Sequence, residues 1–143
     1  MVDTAVETFG ALHVAFNNAG IFRTAPLADI TEDTIDALLG VNVKSLAFCF
    51  KYQIPAMAAS AEGKGSIIVN TSSTAIRTSA LPAMEGGGMY AASKAAAEML
   101  MKHAAIEAAA SSVRVNSVVP GHVETPIYGE MPRDALVGVT GTT

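Results

Sequence analysis

Tyr90 and Lys94 stand four positions apart in the run Met89-Tyr90-Ala91-Ala92-Ser93-Lys94. On an α-helix two such residues share a face, with Cβ atoms about 5–6 Å apart. A phenol and a lysine ammonium both ionise at about pH 10 in water. An ammonium fixed beside the phenol favours the phenolate and lowers the pH at which the ring releases its proton. The pair would then be an acid/base group working nearer neutrality. The same spacing also describes a half-buried ring beside a solvated lysine, so the rest of the chain must decide.

The element that has to hold the pair is the Ala-rich stretch running on to Ala110. Its alanines, with Met99, Leu100 and Met101 among them, are the best helix formers, and no Gly or Pro interrupts them. Met1 to Phe9 reads as the end of a helix stopped by Gly10, and it opens without a cap, as if cut into. Leu12 to Phe16 is a short apolar strand, followed by the turn Asn17-Asn18-Ala19-Gly20. Asp29 to Ser60 is mostly helical, with Thr31 as cap and Glu32 and Asp33 suiting the first turn. Pro55 should kink or divide it.

Ser66 to Thr71 is a second strand, whose unbroken Ile67-Ile68-Val69 suits burial on both faces. Val113 to Val119 is a third, ending at Pro120-Gly121. Strands alternating with helices predict an α/β fold with a parallel sheet. In such sheets ligands bind beyond the C-terminal strand ends. Asn17 to Gly20, Ser72-Ser73 and Pro120 to Thr125 all fall there, and Tyr90 and Lys94 enter from the helix after the second strand. Hydride transfer to a carbonyl needs a proton donor, a second hydroxyl on the same oxygen, and a cation to tune the donor. Tyr90, Ser73 and Lys94 supply those groups, while Gly20 and Gly121 permit close backbone approach.

Composition narrows the field. The chain has 143 residues, half of them hydrophobic and 15% charged, which suffices for one small core. A formal charge of −4 offers no basic footprint for nucleic acid. The single cysteine, Cys49, allows no internal disulfide and lies in an apolar run, as a buried inert thiol in a reducing compartment such as the cytoplasm would. No apolar run approaches the ~18 residues of a membrane span, and no signal-peptide order opens the chain. His13, His103 and His122 have no metal-ligand spacing, and no metal site is expected.

Five segments in this order resemble the short-chain dehydrogenase/reductase family. They are Asn17-Asn18-Ala19-Gly20, Val41-Asn42-Val43, Ile67 through Ser73, Tyr90-x-x-x-Lys94 with Ser93 before the lysine, and Arg114-Val115-Asn116 through Pro120-Gly121-x-x-x-Thr125-Pro126. The resemblance covers about Phe9 to Ile127. It implies an NAD(P)-dependent oxidoreductase acting on a small-molecule carbonyl or secondary alcohol, with NAD and NADP both open. By motif, Tyr90 matches the general acid/base and Lys94 the residue that tunes it and holds the nicotinamide ribose. Ser73 matches the residue on the substrate oxygen, with Ser72 still an alternative. Asn42 matches the asparagine that positions a relay water. Asn18, Ala19 and Gly20 match cofactor contacts on one side, and Pro120, Gly121, Val123 and Thr125 on the other.

The resemblance also marks departures. The family opens with a strand and a turn of the type T-G-x-x-x-G-x-G, which receives the pyrophosphate at a helix N-terminus. No such run occurs in these residues. The three strands would be the fourth to sixth of the full fold, with both sheet edges unpaired. After Pro126 only Ile127 to Thr143 stand where the family has a substrate loop and a last strand. The expectation is therefore one partial Rossmann-like doubly wound domain over residues 1–143: about three parallel strands with flanking helices, marginally stable alone. Ser73 precedes Tyr90 by 17 positions, several more than the family pattern, and the surplus in Leu81 to Gly88 should bulge outward. The helices around 31–58 and 89–110 match those by which family members pair, implying a homo-oligomer. The alternative is a non-catalytic homologue that acts only through that association.

Overall fold

The computed structural model describes residues 1–60, 64–77, 85–123 and 125–128. Helix α1, Val2–Phe9, ends where expected: Gly10 takes φ +82°, and its N–H reaches the Val6 carbonyl at 2.8 Å. A residue with a Cβ is strained in that left-handed conformation, so glycine ends the helix at little cost.

Helix α2, Glu32–Leu39, starts at Thr31, whose hydroxyl accepts from Thr34 N–H at 3.3 Å. A π-turn over Gly40–Lys44 joins it to α3, Ser45–Ser60. In this wider turn the Ser45 N–H reaches back to the Gly40 carbonyl. The wider turn thus falls at Asn42, and α3 runs through Pro55 without being divided there. Pro55 and Lys51, whose carbonyl loses its helical donor, are both exposed, so water can serve the orphaned oxygen.

Strands β1 (Val14–Asn17), β2 (Ser66–Asn70) and β3 (Arg114–Val118) form one parallel sheet in the order β1-β2-β3. Ile67 lies between Ala15 and Val115, and Ile68 between Phe16 and Asn116. Ile67, Val69, Val113 and Val115 are buried with Leu46, Phe50 and Met57 of α3 and with Ala97, Met101, Ala104 and Ala108 of α4, Gly88–Ala109. The Ile-Ile-Val run is not buried on both faces as expected. Ile67 and Val69 are buried while Ile68 is half-buried, and on Ile68's side of the sheet Val14, Phe16 and Val118 remain 62%, 58% and 50% exposed. Burying a valine or phenylalanine is worth about 1.5–3 kcal/mol, so this face leaves substantial stabilisation unused.

Helix α4 presents Tyr90, Lys94, Ala97, Met101, Ala104 and Ala108 inward, three or four positions apart. The small alanines let its axis lie close to β3. Gly86, just ahead of it, has φ +70°, and its carbonyl accepts from Ala25 N–H at 3.0 Å. Within the described part of the expected bulge, Glu85 to Gly88, Gly86 is docked against Ala25 while Glu85 and Gly88 are exposed. Leu81 to Met84 and residues 129–143 lie outside the described residues. Among the described residues no helix is long and apolar enough to cross a membrane.

Candidate active site

The C-terminal strand ends are tied together before any side chain reaches the site. Past β2, Thr71 N–H donates to the Val118 carbonyl at 3.0 Å and Ser73 N–H to the Pro120 carbonyl at 2.9 Å. The Asn70 side-chain amide donates to Asn18 Oδ1 at 2.7 Å, so the loops after β1, β2 and β3 form one rim. That rim and α4 enclose a cleft of about 270 Å³. Of the residues expected from sequence, Asn18, Gly20, Ser73, Tyr90, Lys94, Pro120, Gly121, Val123 and Thr125 line it. Ala19 and Asn42 do not. They line a neighbouring cleft of about 320 Å³, which meets the first at Asn18, Asn70 and Lys94.

Tyr90 is buried, with its ring edge-to-face against Phe22, centroids 4.9 Å apart at 81°. Lys94 is only 5% exposed. Its Nζ donates to the Asn70 carbonyl at 3.0 Å and lies 6.0 Å from the Tyr90 ring centre. Removal from water holds the Lys94 ammonium below the ordinary lysine range. Gly20 closes over it: a Cβ there would stand 3.2 Å from Lys94 Nζ and 3.4 Å from Asn42 Oδ1. The pair read from sequence is therefore a pair in space, and the ammonium is desolvated as well as close.

Asn42 is 4% exposed, and both hydrogens of its amide are used. Nδ2 donates to the Ile21 carbonyl at 3.0 Å and to Ser93 Oγ at 2.9 Å, and Oδ1 accepts from Ile21 N–H at 2.9 Å. The side chain thus clamps the loop after β1 to α4 and has no hydrogen left for a water.

The adjacent serines differ in their bonding. Ser72 is buried and starts the short turn Ser73–Ala75, its Oγ accepting from Thr74 N–H at 3.3 Å and bonding Thr74 Oγ1 at 2.9 Å. Ser73 is half-buried on the cleft, and its hydroxyl makes no hydrogen bond among the described residues. Sequence reasoning missed Phe22, Asn70, Thr71, Thr74, His122 and Ile127, which also line the cleft. The strand-end rule pointed towards Asn70 and Thr71, and towards His122 between Gly121 and Val123. Phe22 had no local signal. Cys49 is half-buried in the second cleft, and burial pushes its thiol pKa up.

The sequence profile of the short chain dehydrogenases matches residues 1–135. The chain belongs to that family. Two relatives of the chain are a cyclohexanol dehydrogenase of Acinetobacter sp. and a 3beta-hydroxysteroid dehydrogenase of Eggerthella lenta. The first is 36% identical over 95% of this chain and 52% of its own length, the second 36% over 100% and 53%. A short chain dehydrogenase from Burkholderia cenocepacia, solved in complex with NADP, superposes with a TM-score of 0.78 and 36% identity, over 88% of this chain and 48% of its own. The chain spans about half the length of these relatives, and its three parallel strands with flanking helices are of their Rossmann type.

Proposed function

We propose that residues 1–143 form one Rossmann-type domain carrying the catalytic half of an NAD(P)-dependent oxidoreductase. Its substrate class is a small carbonyl compound or secondary alcohol. The observation that carries this reading is the convergence of Tyr90, the desolvated Lys94 and the Ser73 hydroxyl on one cleft built from three strand ends. The residues present fit the nicotinamide and ribose end of a dinucleotide. Among the described residues, Asn70 Oδ1 is buried without a donor and Gly121 has nothing within 4 Å of where a side chain would begin, while Lys94 offers an ammonium. Asn18, Ala19, Gly20, Pro120, Gly121, Val123 and Thr125, with Tyr90 and Lys94, are the residues assigned to hold it. The NADP complex of the Burkholderia cenocepacia relative supports that assignment, with NAD equally open.

When bound, the nicotinamide supplies or accepts the hydride. In reduction Tyr90 gives its phenolic proton to the carbonyl oxygen, and in oxidation it takes the alcohol proton. Ser73 donates a hydrogen bond to the same oxygen, and Ser72 is left as the cap of its turn. Lys94 stabilises the phenolate that remains on Tyr90. Asn42 serves by holding the Ile21 loop against α4, which keeps Gly20 over Lys94; its side-chain hydrogens are not available to a relay water.

Phe48 and Tyr52 of α3 and Met99 and Ile106 of α4 are exposed, which supports self-association through the helices around 31–58 and 89–110. A reducing cytoplasmic setting suits the single thiol. The test of the enzyme reading is titration with NADH and NADPH by nicotinamide fluorescence, followed by turnover of a ketone panel. Tyr90→Phe should lower turnover at least about 100-fold. Undiminished turnover in that variant overturns the assignment. Absence of binding to millimolar cofactor would leave association through the helices as the function.

A further inference from the structure

The backbone between Tyr90 and Lys94 is held by a residue that lines neither cleft. Ser93 is 0% exposed. Its hydroxyl donates to the Tyr90 carbonyl at 2.7 Å and accepts from Asn42 Nδ2 at 2.9 Å. Asn42 in turn holds both backbone groups of Ile21. One polar tie therefore runs from the loop after β1, through the π-turn, to the start of α4. The neighbours of Ile21 are the residues that touch the reacting pair: Gly20 approaches Lys94, and Phe22 packs on the Tyr90 ring. Elsewhere along the buried face of α4 the small positions are alanine, at Ala97, Ala104 and Ala108. Alanine is the better helix former, and a buried hydroxyl is costly unless bonded. Ser93 departs from the alanine pattern at the point where its two hydrogen bonds are made.

We propose that Ser93 is a positioning residue: with Asn42 it fixes the Tyr90 ring and the Lys94 ammonium relative to one another, and so sets the pH at which Tyr90 ionises. This rests on Tyr90 as the acid/base group, but the ring titrates without cofactor or substrate, so the two can be tested apart. The ionisable groups that share the cleft with Tyr90 are Lys94 from α4 and His122 from the loop after β3; no carboxylate lines it among the described residues.

The experiment uses the full chain carrying Tyr52→Phe and Tyr128→Phe, which leaves Tyr90 as its one tyrosine. Tyrosinate absorbance is followed against pH. Lys94→Met supplies the midpoint with no ammonium present, expected above that of the parent. Ser93→Ala should move the midpoint from the parent value towards that of Lys94→Met. Ser93→Cys fills the same space with a much weaker hydrogen-bonding group and should shift it in the same direction, which keeps the test alive if the alanine variant does not fold. A parent midpoint in the folded Ser93 variants, however far their melting temperatures fall, overturns the proposal, as does a parent midpoint in Lys94→Met. If Tyr90→Phe retains turnover while the Ser93 variants shift the midpoint, the acid/base assignment fails and the positioning role stands.

Discussion

Replacing Asn42 by alanine should destabilise the protein by about 2–3 kcal/mol. The side chain makes three hydrogen bonds, at 2.9, 3.0 and 2.9 Å, two to Ile21 and one to Ser93. Each is worth a net 0.5–1.5 kcal/mol or so, about 3 kcal/mol for the set. Alanine recovers roughly 0.5 kcal/mol through its helix propensity. Ile21 is half-buried, so water can partly replace its lost bonds, which sets the lower end. Against a typical total of about 5–15 kcal/mol this is a large loss. It corresponds to a fall in Tm of roughly 5–10 °C for a chain of this size. Urea denaturation at fixed protein concentration is the assay, with an unchanged slope required before the midpoint is read as stability. A loss under about 0.5 kcal/mol, the range of an ordinary surface change, would refute the clamp. Asn42 would then act by some route other than its side-chain bonds.

Four further outcomes are expected. Lys94 has a folded-state pKa below its ordinary 10.5, so between those two values the unfolded chain holds a proton that the folded chain lacks. Stability should therefore rise with pH across that window, and Lys94→Met, followed by urea midpoints over the same range, should lack that rise. Gly86→Ala combines φ +70° with a Cβ 2.7 Å from the Ala25 carbonyl carbon, and should cost about 2 kcal/mol or more. Gly10→Ala, equally left-handed at φ +82° but in open space, should cost only about 1 kcal/mol, and thermal melts of the two give the comparison. Thr31→Ala removes the cap of α2 and should lower stability by about 1 kcal/mol in the same assay.

The parts of this protein that were legible in the sequence rest on local physics. Gly10 ends α1 because only a residue without a Cβ adopts that conformation freely, and Thr31 caps α2 because its hydroxyl reaches a backbone N–H three residues on. The alternation of strands and helices implied a parallel sheet. That in turn implied that Asn18, Ser73 and Gly121 would meet, because side chains at the C-terminal ends of adjacent parallel strands have the same rim to occupy. What the local pattern read wrongly concerned neighbours. Ile67-Ile68-Val69 looks alike whether one or both faces are covered, and here only one is buried. Pro55 looked able to kink or divide the long helix, and exposure of its turn lets the helix continue undivided, while the π-turn carries Asn42, whose side chain grips Ile21 and Ser93 across the fold.

The sequence by itself determined the order of elements, the membership of the Tyr90–Lys94 pair on one helical face, and the three polar strand ends. These depend on residue spacing and on backbone preferences that act within a few positions. Only the tertiary structure decided that Ser73 reaches the cleft with no hydrogen bond to its hydroxyl among the described residues. It alone showed that Asn42 spends its amide on Ile21 and Ser93, and that His122 and Phe22 join the cleft wall. It also decided that Lys94 loses its water. Each of these outcomes depends on atoms more than ten residues away in the chain, or on burial, which no single stretch carries: a hydrogen bond or a desolvated charge is a property of the pair of surfaces that meet.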